Sequence, residues 1–516
     1  MSNEVFDLLV IGGGVNGTGI ARDAAGRGLK VALVEMNDLG SATSSASTKL
    51  FHGGLRYLEY LEIGLVREGL IERERLWSAM PHISWPMRFV LPYHKDMRFE
   101  GGTPTSRILS VVMPWMKGRR PGWLIRLGLF LYDHLGGRKN LPGTRTLDLT
   151  RDPVGAPLKD HLKKAFEYSD CWVEDARLVI LNARDAEARG ATILTRTKVT
   201  SAEQKDGLWV ARLEGETDQI TARAVVNAAG PWVADVLNGA LHRNSREGVR
   251  LVRGSHIVTR KLFDHDKPYF FQGADNRIVF AIPYEGDFTL IGTTDQDHAD
   301  ADEKPVCTPA EQQYLCNFVS QYFKEPVTVD DIVWTYSGVR PLYDDGASSA
   351  TEATRDYVLS LDAGGTLLNV FGGKITTHRH LSEAAMDKLK GVFPEMPGHW
   401  TAGVAMPGGD FPVSGVQALI DDLMQRYDFL DARWAKRLVR AYGTEAPEVL
   451  GDAKSRKDLG KDFGADLSAA EVRWMMAREY AQTADDVIWR RTKLGLRMTK
   501  AEVSALEKWM QKEPAQ

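Results

Sequence analysis

The period of apolar positions changes along this chain, and each change marks an element. Residues 5–11 (VFDLLVI) form a short, almost unbroken apolar run, the pattern of a strand covered on both faces in a parallel sheet. Glycines follow at once, then a helical stretch (VNGTGIARDAAGRG) and a second buried strand (KVALVE). Two later runs repeat the strand-then-glycine pattern: VVNAAGPWV at 225–233 and LLNVFGGKITTHRHL at 367–381, the second predicting a helix from near Ile375. Between these motifs lie TILTRTKVTSAE, LWVARLEG, SHIVTRKL, RIVFAIPY and FTLIGTTD, whose alternation predicts half-buried strands of an inserted antiparallel domain. From about Thr401 the pattern turns helical, and Ser468 with Glu471, like Thr499 with Glu502, has the spacing of a capping box.

The first turn carries candidate chemistry. Gly12, Gly14 and Gly17 make G-x-G-x-x-G: the first permits a tight turn, the second lets backbone approach a pyrophosphate, and the third lets the helix pack on the strand. The helix N-terminus then faces the phosphates. Glycine clusters also occur in plain turns. Here Glu35 ends the second strand, where a carboxylate accepts both ribose hydroxyls, and that context favours a dinucleotide without a 2′-phosphate. The two later glycine turns favour FAD over NAD, because a long dinucleotide with a flat ring needs backbone contact at several points. The alternative is three ordinary βα turns. A helix starting near Ile375 would aim its amides at the pyrimidine end of a flavin.

Composition narrows the partners. A chain of 516 residues exceeds one core, so two or three domains are expected. Lys plus Arg total 65 against 69 Asp plus Glu, which argues against nucleic acid as the main partner. Cys171, Cys307 and Cys316 form no CxxC pair, so neither a disulfide framework nor a metal site is expected, and a cytoplasmic setting fits. Glu4 and Asp7 near the start do not suit an export signal, and no apolar stretch of ~18 residues predicts a membrane span.

VIGGGVNGTGIARDAAGRG, SSASTKLFHGGLRYLE, EYSDCWVEDARLV, RGSHIV, LIGTTD, DIVWTYSGVRPL, TRDYVL and FGGKITT follow one another in that order. Together, from about Asp7 to Arg497, they closely resemble the FAD-dependent, quinone-linked glycerol-3-phosphate dehydrogenases. The resemblance implies a mixed α/β and α+β fold: a glutathione-reductase-like Rossmann domain for FAD (1–80, 151–235, 346–395), an antiparallel-sheet substrate domain (236–345), and a helical C-terminal cap (400–516). Residues 81–150 would form a substrate- or membrane-contact segment. The hydroxyl-rich loop SATSSASTK resembles one that runs along the pyrophosphate, placing Thr43, Ser44, Ser45, Ser47, Thr48 and Lys49 at the cofactor. Asn16, His52, Gly53, Val199, Ala229, Gly230, Trp232 and Gly338 are implied as further cofactor contacts. So are Gly372, Gly373, Lys374, Ile375 and Thr376.

Glycerol 3-phosphate would bring a phosphate of about −2 charge and a secondary alcohol whose C–H leaves as hydride. Arginine forks bind phosphate bidentately, and Arg56, Arg340, Arg355 and Lys374 sit in motifs where an unpaired charge would be stranded. The resemblance assigns Arg56 and Arg355 to the phosphate and Arg340 to the hydroxyl, with Tyr57, Thr293 and Lys374 also at the substrate. His256 in RGSHIV is the expected base; a satisfied buried histidine is the alternative. The family passes its electrons to a membrane quinone. An oxidase using O2, and an FAD-containing RNA-modification or assembly factor, are the competing readings. Residues 107–139 interleave Trp115, Trp123 and leucines with Lys117, Arg119, Arg120 and Arg126, which suits either an anchor at the inner face of the cytoplasmic membrane or a basic loop and core helix. A homodimer is the family expectation.

Overall fold

A computed structural model describes residues 4–95, 97–98, 103–112, 120–137, 140–215, 219–273, 277–344 and 356–513. Two sheets organise them. In the first, the strands run Val358–Asp362, Leu367–Phe371, Gln219–Asn227, Val5–Ile11, Val31–Val34, Thr192–Leu194, and the last five are parallel. Leu8 and Val10 enter the core on one face, Leu9 and Ile11 the core on the other, which is why the run is apolar without alternation.

The second sheet is antiparallel over most of its width. Ile332–Tyr343 pairs with Val249–Arg260, followed by Phe288–Gly292, Ile278–Tyr284, Tyr269–Gln272, Ser84–Tyr93, Lys164–Val173 and Leu50–Phe51. Its membership differs from the expected segments: Leu50–Phe51, within the expected FAD stretch 1–80, lies at its edge against Lys164–Val173. Lys164–Val173, expected in the FAD stretch, pairs along its whole length with Ser84–Tyr93 and belongs here. Thr192–Leu194, whose alternation suggested the antiparallel domain, joins the first sheet within the 151–235 stretch, and Val199–Lys205 with Leu208–Leu213 extends that sheet as a hairpin on Gln219–Asn227. Period reports burial; it does not name the partner strand.

The helix expected from Ile375 begins at His378, because Gly372 and Gly373 turn at φ of 73° and 97° and residues 375–377 complete the turn. GWLIRLGLFLYDHL is one helix, Gly122–Leu135; Trp123, Leu127, Phe130 and Leu131 face outward, and Leu129, Tyr132 and Asp133 are buried. Among the described residues no helix is long and apolar enough to cross a membrane.

The C-terminal helices, among them Val416–Arg426, Ala432–Tyr442, Ala469–Arg478 and Lys500–Met510, enclose their own core. Thr499 and Glu502 form a reciprocal capping box, and the Ser468 hydroxyl accepts the Glu471 amide. This domain is fixed to the first by buried ion pairs: Arg491 grips Asp38 with both terminal nitrogens (2.6 and 2.8 Å), and Arg177 meets Glu479 (2.5 Å).

Candidate active site

Between the two sheets lies a cavity of about 880 Å³, lined by the ends of the parallel strands and by one face of the antiparallel sheet. At its first end the glycine turn works by close approach: Gly12 adopts φ of 111°, and a Cβ on Gly17 would collide with the Gly12 carbonyl. Glu35 accepts the amides of Gly13 (2.6 Å) and Asn37 (2.8 Å), and burial pushes its carboxyl upward. Asn16 donates to the Gly372 carbonyl (3.0 Å), joining the first and last glycine motifs directly. Val199, Ala229, Gly230, Trp232 and Gly338 line the same cavity, with Gly372, Gly373, Ile375 and Thr376.

The hydroxyl loop divides its labour. The Ser44 hydroxyl accepts the Val15 amide (3.0 Å), and the Thr43 hydroxyl donates to the Val339 carbonyl (2.5 Å), binding the loop to both domains. Ser47 and Lys49 also line the cavity, but their side chains serve Asp175, at 2.8 and 2.6 Å. They hold the loop in place from behind. Ser45 and Gly53 do not line the cavity, and neither does Gly17, whose part is packing; Ser45 turns its hydroxyl back to Ala42, and the Gly53 amide donates to Tyr132.

At the other end neighbouring strands bring the reactive groups together. His256 is opposite Gly292 on one side and Tyr336 on the other, and a Cβ on Gly292 would strike the imidazole. The ring stacks on Tyr336 (4.7 Å between centroids), its Nε2 is 3.0 Å from the Thr48 hydroxyl, and its Nδ1 is buried without a hydrogen-bond partner. Burial, then Arg340 and Lys49, push its pKa well below the ordinary value, so the imidazole is neutral. His52 is likewise pushed down to about 4 by burial, with Lys374 and Arg73 adding to the effect. Arg340 pairs with Asp295 and donates to the Thr293 hydroxyl (3.1 Å). Gly254, opposite Gly338, leaves the space these groups occupy: a Cβ there would strike Arg340.

Arg56, Tyr57, Arg340 and Lys374 line one cavity, and the Lys374 ammonium lies 4.1 Å from the centre of the Tyr57 ring. The Arg355 expectation lies outside the described residues; its neighbour Asp356 lines the cavity. Sequence reasoning missed Gly254, Asp295 and Arg277, all cavity-lining. Asp295 follows Thr293 in LIGTTD and carried a signal as the only acid in that motif; Gly254 and Arg277 carried none that spacing reveals.

A dinucleotide end on a parallel sheet facing a cationic end on an antiparallel sheet defines a two-domain, dinucleotide-dependent oxidoreductase. The chain belongs to the FAD dependent oxidoreductase family, whose model matches residues 7–379; residues 399–512 match the model of the C-terminal domain of alpha-glycerophosphate oxidase. FAD is accordingly the cofactor, and the cavity fits it: glycines leave room for its backbone contacts, and the buried Asn16 Oδ1 and His256 Nδ1 have no partner in the protein. Over 98% of both chains, the sequence is 50% identical to a D-erythritol 1-phosphate dehydrogenase of Brucella abortus. It is 46% identical, over 99% of this chain and 96% of the other, to a glycerol-3-phosphate dehydrogenase of Pseudomonas aeruginosa. The solved structure of the glycerol-3-phosphate dehydrogenase from Bacillus halodurans with FAD superposes with a TM-score of 0.72 at 26% identity, covering 99% of this chain and 95% of that one.

Proposed function

We propose that the chain oxidises sn-glycerol 3-phosphate to dihydroxyacetone phosphate and passes the electrons to a membrane quinone. FAD supplies the acceptor for the hydride that leaves C2, at flavin N5. The observation that carries this reading is the convergence of Arg56, Arg340 and Lys374 with a neutral imidazole in one cavity beside the dinucleotide motif. Arg56, with Arg355, holds the phosphate; Arg340, steadied by Asp295 and Thr293, faces the alcohol. His256 accepts the hydroxyl proton, and Tyr57, Thr293 and Lys374 complete the substrate shell. Two electrons and one proton thus leave with the hydride, and the second proton leaves through the imidazole.

The domain assignment follows the same reading: FAD on the parallel sheet, substrate under the antiparallel sheet, a helical cap behind. The outward apolar face of Gly122–Leu135 supports peripheral contact with the inner face of the cytoplasmic membrane, where a quinone resides. The working form is a homodimer.

A second reading, D-erythritol 1-phosphate as substrate, is favoured by the 50% identical relative, since it offers the same phosphate beside a secondary alcohol on a longer chain. Product analysis with a quinone analogue tests both: dihydroxyacetone phosphate at a kcat/KM well above that for erythritol phosphate is expected. The reverse ranking would transfer the assignment to the four-carbon substrate. Peroxide formed in step with turnover would replace quinone by oxygen.

A further inference from the structure

Two consecutive amides, at the turn where the hydroxyl loop meets the substrate end, are held from opposite sides. The His52 amide donates to the Thr376 hydroxyl (3.2 Å) in the FGGKITT motif. The Gly53 amide donates to the Tyr132 hydroxyl (2.8 Å), which in turn donates to Asp170 Oδ1 (2.9 Å). That oxygen also accepts Arg73 Nη1 (2.7 Å), and Arg73 is anchored on the Ser169 carbonyl (2.7 Å). Tyr132, Asp170 and Arg73 come from three elements, Gly122–Leu135, Lys164–Val173 and Ile63–Ala79, and all are buried. There is no slack around the turn: a Cβ on Gly53 would lie 2.7 Å from Leu70 and 3.1 Å from the Tyr132 ring, and one on Gly69 would lie 3.1 Å from the His52 carbonyl.

Packing alone does not require this trio. Hydrocarbon side chains would fill the same volume without desolvating a carboxylate and a guanidinium. What they could not do is hold a single amide at a fixed place, and the residues that follow it, Arg56 and Tyr57, line the substrate cavity. We propose that Arg73, Asp170 and Tyr132 form a positioning strut that fixes the His52–Gly54 turn, and with it Arg56, relative to flavin and substrate. Its rate measurements rest on the substrate reading above; its spectroscopic ones do not.

The strut is sensitive to acid. Burial pushes the Asp170 carboxyl up to about 6, against the pull of Arg73 and Tyr132. The groups around it are Arg73 and Glu74 from one helix, Tyr132 and Asp133 from the other, Tyr168 and Cys171 on its own strand, and His52 at the turn, neutral through burial. Protonation of Asp170 weakens its acceptance of the Tyr132 hydroxyl and loosens the turn.

The test compares FAD-loaded wild type, Tyr132→Phe and Asp170→Asn by FAD content, visible flavin spectrum and anaerobic reduction by glycerol 3-phosphate above and below the Asp170 titration. Both variants should keep stoichiometric FAD, and Tyr132→Phe should shift the flavin bands and slow second-order reduction about tenfold. Asp170→Asn should be reduced at a pH-independent rate near that of wild type in acid. Wild-type spectra and rates in both variants, with only a lowered Tm, would overturn the proposal, and so would loss of FAD from both, which would make the trio a folding element. Should Tyr132→Phe alone fail to fold, the Asp170→Asn pH profile decides. If wild type is not reduced by glycerol 3-phosphate, the substrate reading fails and the spectral shift still judges the strut.

Discussion

At His256 the strand that brings the imidazole to the cavity also removes water from it, so the ring enters the reaction neutral and able to accept a proton. Replacing it by alanine should slow anaerobic flavin reduction about 10²-fold, measured by stopped flow with FAD content unchanged; an unaltered rate would leave it a packing residue. Because its pKa is pushed down, the wild-type rate should show no acid limb from this group near its ordinary value of ~6.5. Gly254→Ala tests the space under Arg340: the added carbon strikes the guanidinium and lies 2.8 Å from the Thr293 hydroxyl. It should lower kcat/KM by roughly tenfold or more, seen in steady-state kinetics, while the flavin absorbance stays. Unlike Arg277, the cations Arg56, Arg340 and Lys374 were legible, because each stands inside a recognisable motif. Gly254 was not, because its significance depends on being opposite Gly338 in register, and register is not written in either segment alone.

Among the elements, the loop at 41–49 shows what a local pattern conveys and what it withholds. Its hydroxyl crowding marked a place beside the cofactor motifs, and the cavity does run past it. That Ser47 and Lys49 serve Asp175 could not be read from the loop, since the partner lies in EYSDCWVED, 128 and 126 positions further along the chain. That motif was placed in the FAD stretch 151–235, yet its strand Lys164–Val173 belongs to the antiparallel sheet. The Gly122–Leu135 helix falls in the stretch read as either a membrane anchor or a basic loop and core helix, and its outward face can be tested directly. Replacing Trp123 and Phe130 together by serine should lower co-sedimentation with anionic vesicles about tenfold, with turnover on a soluble acceptor retained. Wild-type vesicle binding by this variant would remove the helix from the membrane reading.

For the whole molecule, the cap is held to the nucleotide domain by charges that have lost their water. Arg491→Ala would leave the buried Asp38 carboxylate paired, among the described residues, with Arg490, and should lower stability by about 3 kcal/mol, measured by urea unfolding with FAD bound. Against the upward push of burial, the Gln482 amide, Arg196, Arg490 and the Thr483 amide hold the Asp486 carboxyl well below its usual range. A depressed folded-state pKa gives stabilisation that is complete above the unfolded value of ~3.9 and lost as pH falls through the folded one. Thermal melts of wild type should therefore fall more steeply than those of Asp486→Asn below about pH 4. The two-domain plan and its helical cap were legible in the order of periods and motifs; the ion pairs joining them were not, because they link residues hundreds of positions apart.

Whether a polyol phosphate reduces this flavin is decided by anaerobic titration of the FAD-loaded protein. Glycerol 3-phosphate should bleach the flavin stoichiometrically, while glycerol, lacking the phosphate that Arg56 and its neighbours hold, should leave it oxidised. A flavin that stays oxidised with the phosphate ester, or bleaches equally with glycerol, would contradict the account.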